Sequence, residues 1–508
     1  MTPSPYQQAI YEWKRSGTGH GVVEAVAGSG KTTTLEAVCR LIGPREKGLF
    51  VAFNREIVAE LVRRKLPENV RVSTIHSFGS SVIRRAVGNA QVEEYKYSNL
   101  VDAQAKGLAM AVYGDTTASS LREVRSVLEQ LVKFTRLHLV DPRDLTALDE
   151  CADRFGVDVD PAHLKSYARA LAAVLEDGKK LAAKGVIDFV DMLWAPIVLN
   201  LPVPPHDTVL VDECQDLNRA SLELILRAVG PAGRLLAVGD SRQAIYGFAG
   251  ADTESFHEIS RRTNATKLPL YVSYRCPRKV VELASRYAPI EASPTALEGN
   301  VVPAKYHDVF AEARPGDLIL SRTNALGIKT VLKFLAKRVP CRMRGRDVAK
   351  GILAAMDAAD RHAKGDFRKF PESLEFLTSK RCERLYAKEG GEAKAEAVRD
   401  IALAIEACLD GFPDVEDYQS FRAAVDGLFA DSGNAIWVSS IHRAKGLEAE
   451  RVFILAHDRL PMKFKNQTPS QALQEVNLLY VAITRSRSTL YLVASEEAAT
   501  NAKERQAA

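Results

Sequence analysis

The stretch Ala25-Val26-Ala27-Gly28-Ser29-Gly30-Lys31-Thr32-Thr33 limits what this chain can fold into more than any other. Gly21-Val22-Val23-Glu24 before it reads as a short buried strand, and residues 33–40 after it read as a helix. Strand, glycine turn and helix in that order are the setting of a phosphate-binding loop. Gly28 and Gly30 let the backbone curl and aim successive N–H groups at one point. The following helix adds its positive dipole end there. Lys31 supplies a mobile charge for the β- and γ-phosphates, and the Thr32 hydroxyl a ligand for Mg²⁺. Ala27, Gly28, Ser29, Gly30, Lys31, Thr32 and Thr33 are therefore the expected nucleotide contacts. The strict pattern has Gly where this chain has Ala25, but Gly30-Lys31-Thr32 is intact. An ordinary glycine turn before a helix is the plainer reading, and the flanking elements weigh against it.

A chain of 508 residues exceeds one compact core, which predicts about three to four domains or subdomains. Hydrophobic content of 46% and charged content of 26% fit a globular protein. The net charge of +5 suits a local basic groove without announcing one. The seven cysteines are scattered, with no Cys-x-x-Cys and no His at metal spacing. They read as reduced thiols of a cytosolic protein without a zinc site. The N-terminus is polar and lacks a signal core, and no apolar run approaches the roughly 18 residues of a membrane span. A cytoplasmic chain without a membrane partner is the expectation.

In chain order, Pro5-Tyr6-Gln7-Gln8 opens an amphipathic helix, and the Gln7 amide carries both a donor and an acceptor for an adenine edge. A surface glutamine is the plainer reading. Residues 49–54 and 70–73 read as further strands, followed by Arg55 and by Thr74-Ile75-His76-Ser77-Phe78. Polar and aromatic residues at such strand ends lie where an open α/β sheet places ligands; taken alone, His76 is a structural loop histidine. From about residue 80 to 186 the pattern turns helical and alanine-rich, and residues 187–193 resume the main domain. Thr208-Val209-Leu210-Val211 is an apolar strand ending in Asp212-Glu213. Asp212 is placed to hold Mg²⁺ opposite Thr32, and Glu213 to activate the attacking water. Residues 234–240 are another strand. Gln243 after it is placed to sense the γ-phosphate, and Phe248 offers a ring for base stacking or simply for core packing.

Taken in order, these blocks resemble superfamily-1 helicases of the UvrD/Rep/PcrA type. The series continues with Ser273-Tyr274-Arg275-Cys276-Pro277, Leu318-Ile319-Leu320-Ser321-Arg322-Thr323-Asn324, residues 438–448 around His442 and Glu448, and residues 475–485 ending in Arg485. The resemblance implies an α/β fold of two RecA-like P-loop NTPase motor domains with parallel sheets, each carrying a mainly helical insertion. It places them at 1–85 plus 187–268 and at 269–349 plus 432–498. The insertions fall at 86–186 and 350–431, and a polar tail at 499–508. It implies an ATP site between the motor domains, closed by Arg275 on the γ-phosphate and by Arg485 as arginine finger. Tyr274 would stack on adenine, and Glu448 belongs to the motif that meets the nucleotide ribose and the DNA backbone. Phe53, Asn54, Thr74, His76, Phe248 and His442 are the expected nucleic-acid contacts.

The implied activity is ATP- and Mg²⁺-dependent movement on single-stranded DNA, 3′-to-5′, coupled to duplex unwinding. Expected partners are single-stranded DNA, single/double-strand junctions and a repair or replication protein. The expected chain is a monomer or weak dimer of bacterial or phage origin. Two departures stand out. Phe248-Ala249-Gly250 replaces the family's Trp-Arg-Gly, and Ala52-Phe53-Asn54-Arg55 replaces Thr-Phe-Thr-Asn. The second insertion is also short, which weakens unwinding by a monomer. A translocase that strips bound proteins, a non-motor P-loop NTPase, and a binding module without ATPase chemistry remain as alternatives.

Overall fold

Short runs of Val, Leu and Ala, apolar on both faces, become parallel strands covered by helices. The computed structural model describes residues 2–52, 55–245, 255–386, 391–429, 434–465 and 467–496. By contact the chain divides into two compact units, one of residues 1–26 and 30–271, the other of residues 27–29 and 272–508. In the first, the strands are β1 (Gly21–Ala25), β2 (Gly48–Ala52), β3 (Val70–Thr74), the short β4 (Gln91–Val92) and β5 (Val186–Ile187), β6 (His206–Val211), β7 (Val229–Gly239) and β8 (Thr266–Leu270). Six of them form one parallel sheet in the order β3-β2-β6-β7-β1-β8, while β4 and β5 pair apart from it. β8 belongs to this first sheet, so the boundary between units falls at 271/272 rather than at 268. The strand is hard to read from sequence because Thr266 and Lys267 are exposed and Pro269 stands inside it, as an edge strand tolerates.

Between β3 and β6 the chain is helical, as the alanine-rich periodicity predicts. Helices Lys96–Tyr113, Ala118–His138, Leu145–Phe155 and Leu164–Ala183 enclose a core of their own, with Val101, Leu128, Leu131, Leu171 and Val174 buried. Val124, Leu128, Leu131 and Thr135 sit three or four apart on one face of Ala118–His138, whose N-terminus Thr117 caps through the Ser120 N–H. Trp194, just after the expected return to the main domain, is buried in this helical core, while Leu193 faces the sheet's core.

The second unit carries β9 (Val272–Ser273), β10 (Glu291–Ala292), β11 (Asn300–Lys305), β12 (Leu318–Ser321), β13 (Cys341–Met343), β14 (Ile436–Ser440), β15 (Ala449–Ile454) and β16 (Ser486–Ala494). Its main sheet is parallel, in the order β11-β16-β15-β12-β14-β13. β12 lies inside this sheet; the strand that opens it in the chain is β11, an edge strand that tolerates Pro303. Helices Arg346–His362, Phe370–Tyr386, Gly391–Gly411 and Tyr418–Gly427 fill the second expected insertion, starting at 346 rather than 350. Ile352, Phe370, Ile405 and Phe421 bury into the same cluster as Ile319, Phe334 and Phe453 of the sheet layer. Among the described residues no helix is long and apolar enough to cross a membrane.

Candidate nucleotide and nucleic-acid site

In the first unit, the carboxyl ends of three strands gather the candidate nucleotide residues. β1 runs into the glycine turn, where Gly28 (φ 71°) and Gly30 (φ 77°) take the left-handed backbone that a side chain would strain. Gly30 is also the N-cap of helix Lys31–Arg40 and makes no side-chain capping hydrogen bond there. The Ser29 hydroxyl is buried without a hydrogen-bond partner among the described residues. β6 delivers Asp212 and Glu213. Thr32 Oγ1 donates to Asp212 Oδ2 at 3.2 Å, and Lys31 Nζ lies 3.2 Å from Glu213 Oε1. β7, which lies between β1 and β6, delivers Asp240, whose Oδ2 accepts from Gln243 Nε2 at 2.7 Å.

Gln215 joins these ends. Its Nε2 donates to Glu213 Oε2 at 2.5 Å, and its Oε1 accepts the Asp240 N–H at 3.0 Å. Gly239 leaves room for it; a Cβ there would stand 2.5 Å from Gln215 Oε1 and 2.7 Å from Cys214 Sγ. Glu213 itself sits at φ 53°, a strained conformation for a residue with a side chain. The electrostatics follow from crowding. Burial, and then the charge of Glu213, push the Asp212 carboxyl up to about 7. Burial likewise raises Asp240 against the pull of Lys31. Burial works against charge on Lys31, but Glu213, Asp240 and Asp212 together hold its amine above the ordinary value. The Lys31 amine lies among three carboxylates. With the orphan Ser29 hydroxyl and the N-terminus of helix Lys31–Arg40 beside them, the residues fit a Mg²⁺–nucleoside triphosphate, which Lys31, Thr32 and Asp212 would hold.

Gln7 lies in the same unit. Its Oε1 accepts the Ser4 N–H at 2.9 Å in a capping box, and its Nε2 donates to Thr34 Oγ1 at 3.0 Å. The amide is thus engaged by the protein on both sides, with one lone pair and one N–H remaining.

In the second unit, Arg275 Nε lies 2.5 Å from Glu448 Oε2, and Arg487 NH1 lies 3.3 Å from Glu448 Oε1. The structure therefore pairs Glu448 with two arginines. Tyr274, half-buried, precedes Arg275 just beyond β9. Arg485 is buried; its guanidinium donates to the Val481 and Leu447 carbonyls and to Thr484 Oγ1. His442 follows β14, and burial together with the nearby Arg322 charge lowers its pKa to about 3. Arg322 is in turn clasped by Glu475, with Nε 3.1 and 3.0 Å from its two oxygens.

Of the expected nucleic-acid contacts, Thr74 caps helix Ile75–Val87 through the Ser77 N–H. His76, on that helix, stacks on Phe189 at 4.0 Å between ring centroids, and burial lowers its pKa to about 4. Phe53, Asn54 and Phe248 lie outside the described residues. Three residues escaped the sequence reading: Gln215, Glu475 and the 55% exposed Phe189. Phe189 carried a signal, an aromatic between Asp188 and Asp191 in a polar turn. Gln215 stands in the block Asp212-Glu213-Cys214-Gln215-Asp216, but its role exists only where β6 and β7 lie side by side.

A strand, a glycine turn, a helix with Lys-Thr at its start and an acidic neighbouring strand end define a P-loop NTPase. A family model described as the UvrD/REP helicase N-terminal domain matches residues 6–264, and one described as the UvrD-like helicase C-terminal domain matches residues 404–497. This chain belongs to the UvrD/REP helicase family. It is 25% identical over 495 residues to F-box DNA helicase protein 1 of Schizosaccharomyces pombe, covering 92% of this chain and 55% of that protein. It is 27% identical over 293 residues to ATP-dependent DNA helicase UvrD1 of Mycobacterium tuberculosis, covering 52% of this chain and 36% of the relative. DNA helicase IV of Escherichia coli is 27% identical over 325 residues, covering 54% and 46% respectively. The chain thus spans about half or less of the length of these relatives.

Proposed function

We propose that this protein is an ATP- and Mg²⁺-dependent motor on single-stranded DNA that moves 3′-to-5′ and separates duplex ahead of it. The observation that carries this reading is the continuous contact chain Lys31–Glu213–Gln215–Asp240–Gln243. It links three strand ends, so a change at one is felt at the others. Bound MgATP supplies the phosphoryl bond whose cleavage drives the cycle. Lys31 and the loop N–H groups would hold the phosphates, while Thr32 and Asp212 would hold the metal. Glu213, freed from Lys31 as that amine turns to phosphate, accepts a proton from water. Arg275 and Arg485 of the second unit stabilise the charge of the transferring group. Tyr274 serves the base, Thr74 and His442 line the DNA side, and Phe189 on neutral His76 offers an exposed stacking face.

A duplex with a single-stranded 3′ tail tests the direction and the coupling together. ATP- and Mg²⁺-dependent strand displacement is expected with a 3′ tail and not with a 5′ tail. Streptavidin removed from the tailed strand without strand displacement would overturn unwinding and leave a stripping translocase.

A further inference from the structure

We propose that Arg136 is a positioning residue through which the helical insertion holds the Phe189 ring ready for a nucleobase; this rests on the reading of Phe189 just given. Arg136 lies at the end of helix Ala118–His138, buried, with its guanidinium 3.5 Å from the centroid of the Tyr97 ring. Its NH1 and NH2 grip Asp188 Oδ1 and Oδ2 at 2.8 and 2.9 Å, and NH1 also reaches Asp191 Oδ1 at 3.1 Å. From the helix Lys96–Tyr113, Lys96 Nζ meets Asp191 Oδ2 at 2.5 Å and Tyr97 OH donates to Asp191 Oδ1 at 2.8 Å. The two aspartates also close on each other. The Asp191 N–H donates to Asp188 Oδ1 at 2.7 Å, and the Asp188 N–H donates to Asp191 Oδ2 at 3.1 Å. Phe189 is the second residue of this locked turn.

Two features separate positioning from mere cohesion. First, the cluster is buried and neutral, two cations against two carboxylates. Such networks add little net stability over an apolar replacement and are better at fixing one geometry. Second, what the geometry fixes is an exposed aromatic ring. Phe189 is 55% exposed and leans on His76, which comes from the helix after β3. The insertion holds the backbone on one side and the sheet layer supports the ring on the other. Base stacking rewards a ring whose orientation is set before the base arrives.

The test is a double-mutant cycle read by fluorescence anisotropy on labelled oligo-dT, with 2-aminopurine quenching in the same strand as the stacking signal. Phe189→Ala is expected to weaken binding about tenfold and to remove the quenching. Arg136→Met is expected to weaken binding severalfold and to reduce the quenching, with DNA-independent ATP hydrolysis unchanged. In the Phe189→Ala background, Arg136→Met should add nothing. Full additivity of the two losses would overturn the proposal. Unchanged binding by Phe189→Ala would overturn the base contact itself, a different failure. If Arg136→Met does not fold, Asp188→Asn loosens the same clamp with little change of shape and is read by the same cycle.

Discussion

At the residue scale, the site's chemistry comes from placing three acids around one amine. Lys31 is 12% exposed, and Glu213 21%. Removing the amine takes away the positive charge that Glu213, Asp240 and Asp212 share. Lys31→Met should therefore destabilise the nucleotide-free protein by about 3 kcal/mol, besides abolishing hydrolysis. Denaturant unfolding of the first unit checks this, and an unchanged midpoint would contradict it. Histidine chemistry makes a second prediction. Burial keeps His76 neutral down to about 4, and burial with the Arg322 charge keeps His442 neutral down to about 3. The unfolded chain takes up both protons near 6.5, so acid lowers stability from about pH 6.5 downward and the loss is complete only below the folded values. Between pH 6 and 8 neither imidazole changes charge in the folded protein. Oligo-dT affinity at fixed ionic strength should be flat over that range. A rise in affinity toward pH 6 would show a charged imidazole on the phosphates.

At the scale of elements, the lesson is which interactions belong to one segment and which to two. The phosphate loop was legible because its strand, turn and helix are contiguous, and the helix read over residues 33–40 begins at Lys31. β6 was legible from three apolar residues, Val209-Leu210-Val211, ending in two acids. β11 was not, because an edge strand half exposed to solvent carries little apolar signal. Gln215 and Phe189 depend on strand order and on a turn clamped from a distant helix, which no local pattern encodes. Asp400 shows the same thing in the second unit. From helix Gly391–Gly411 it accepts the Asn324 and Ala325 N–H groups at 2.7 and 3.0 Å, capping a helix some seventy residues earlier in the chain. Asp400→Ala should cost about 1–2 kcal/mol, as loss of an N-cap does, and this should appear as a lower melting temperature. A loss within a few tenths would show that water replaces the carboxylate.

For the whole molecule, the two helical segments are built differently. The first closes its own core and is joined to the main sheet's layer by the Arg136–Asp188–Asp191 cluster. The second shares its core with the parallel sheet it interrupts, so it belongs to that domain's packing as well as to its surface. A motor requires hydrolysis at Lys31, Thr32, Asp212 and Glu213 to be coupled to a nucleic-acid strand. Steady-state ATP hydrolysis with and without single-stranded DNA, on the wild type and on Glu213→Gln, tests it most directly. Strong stimulation by DNA that disappears in Glu213→Gln is the predicted result; turnover indifferent to DNA would contradict the motor.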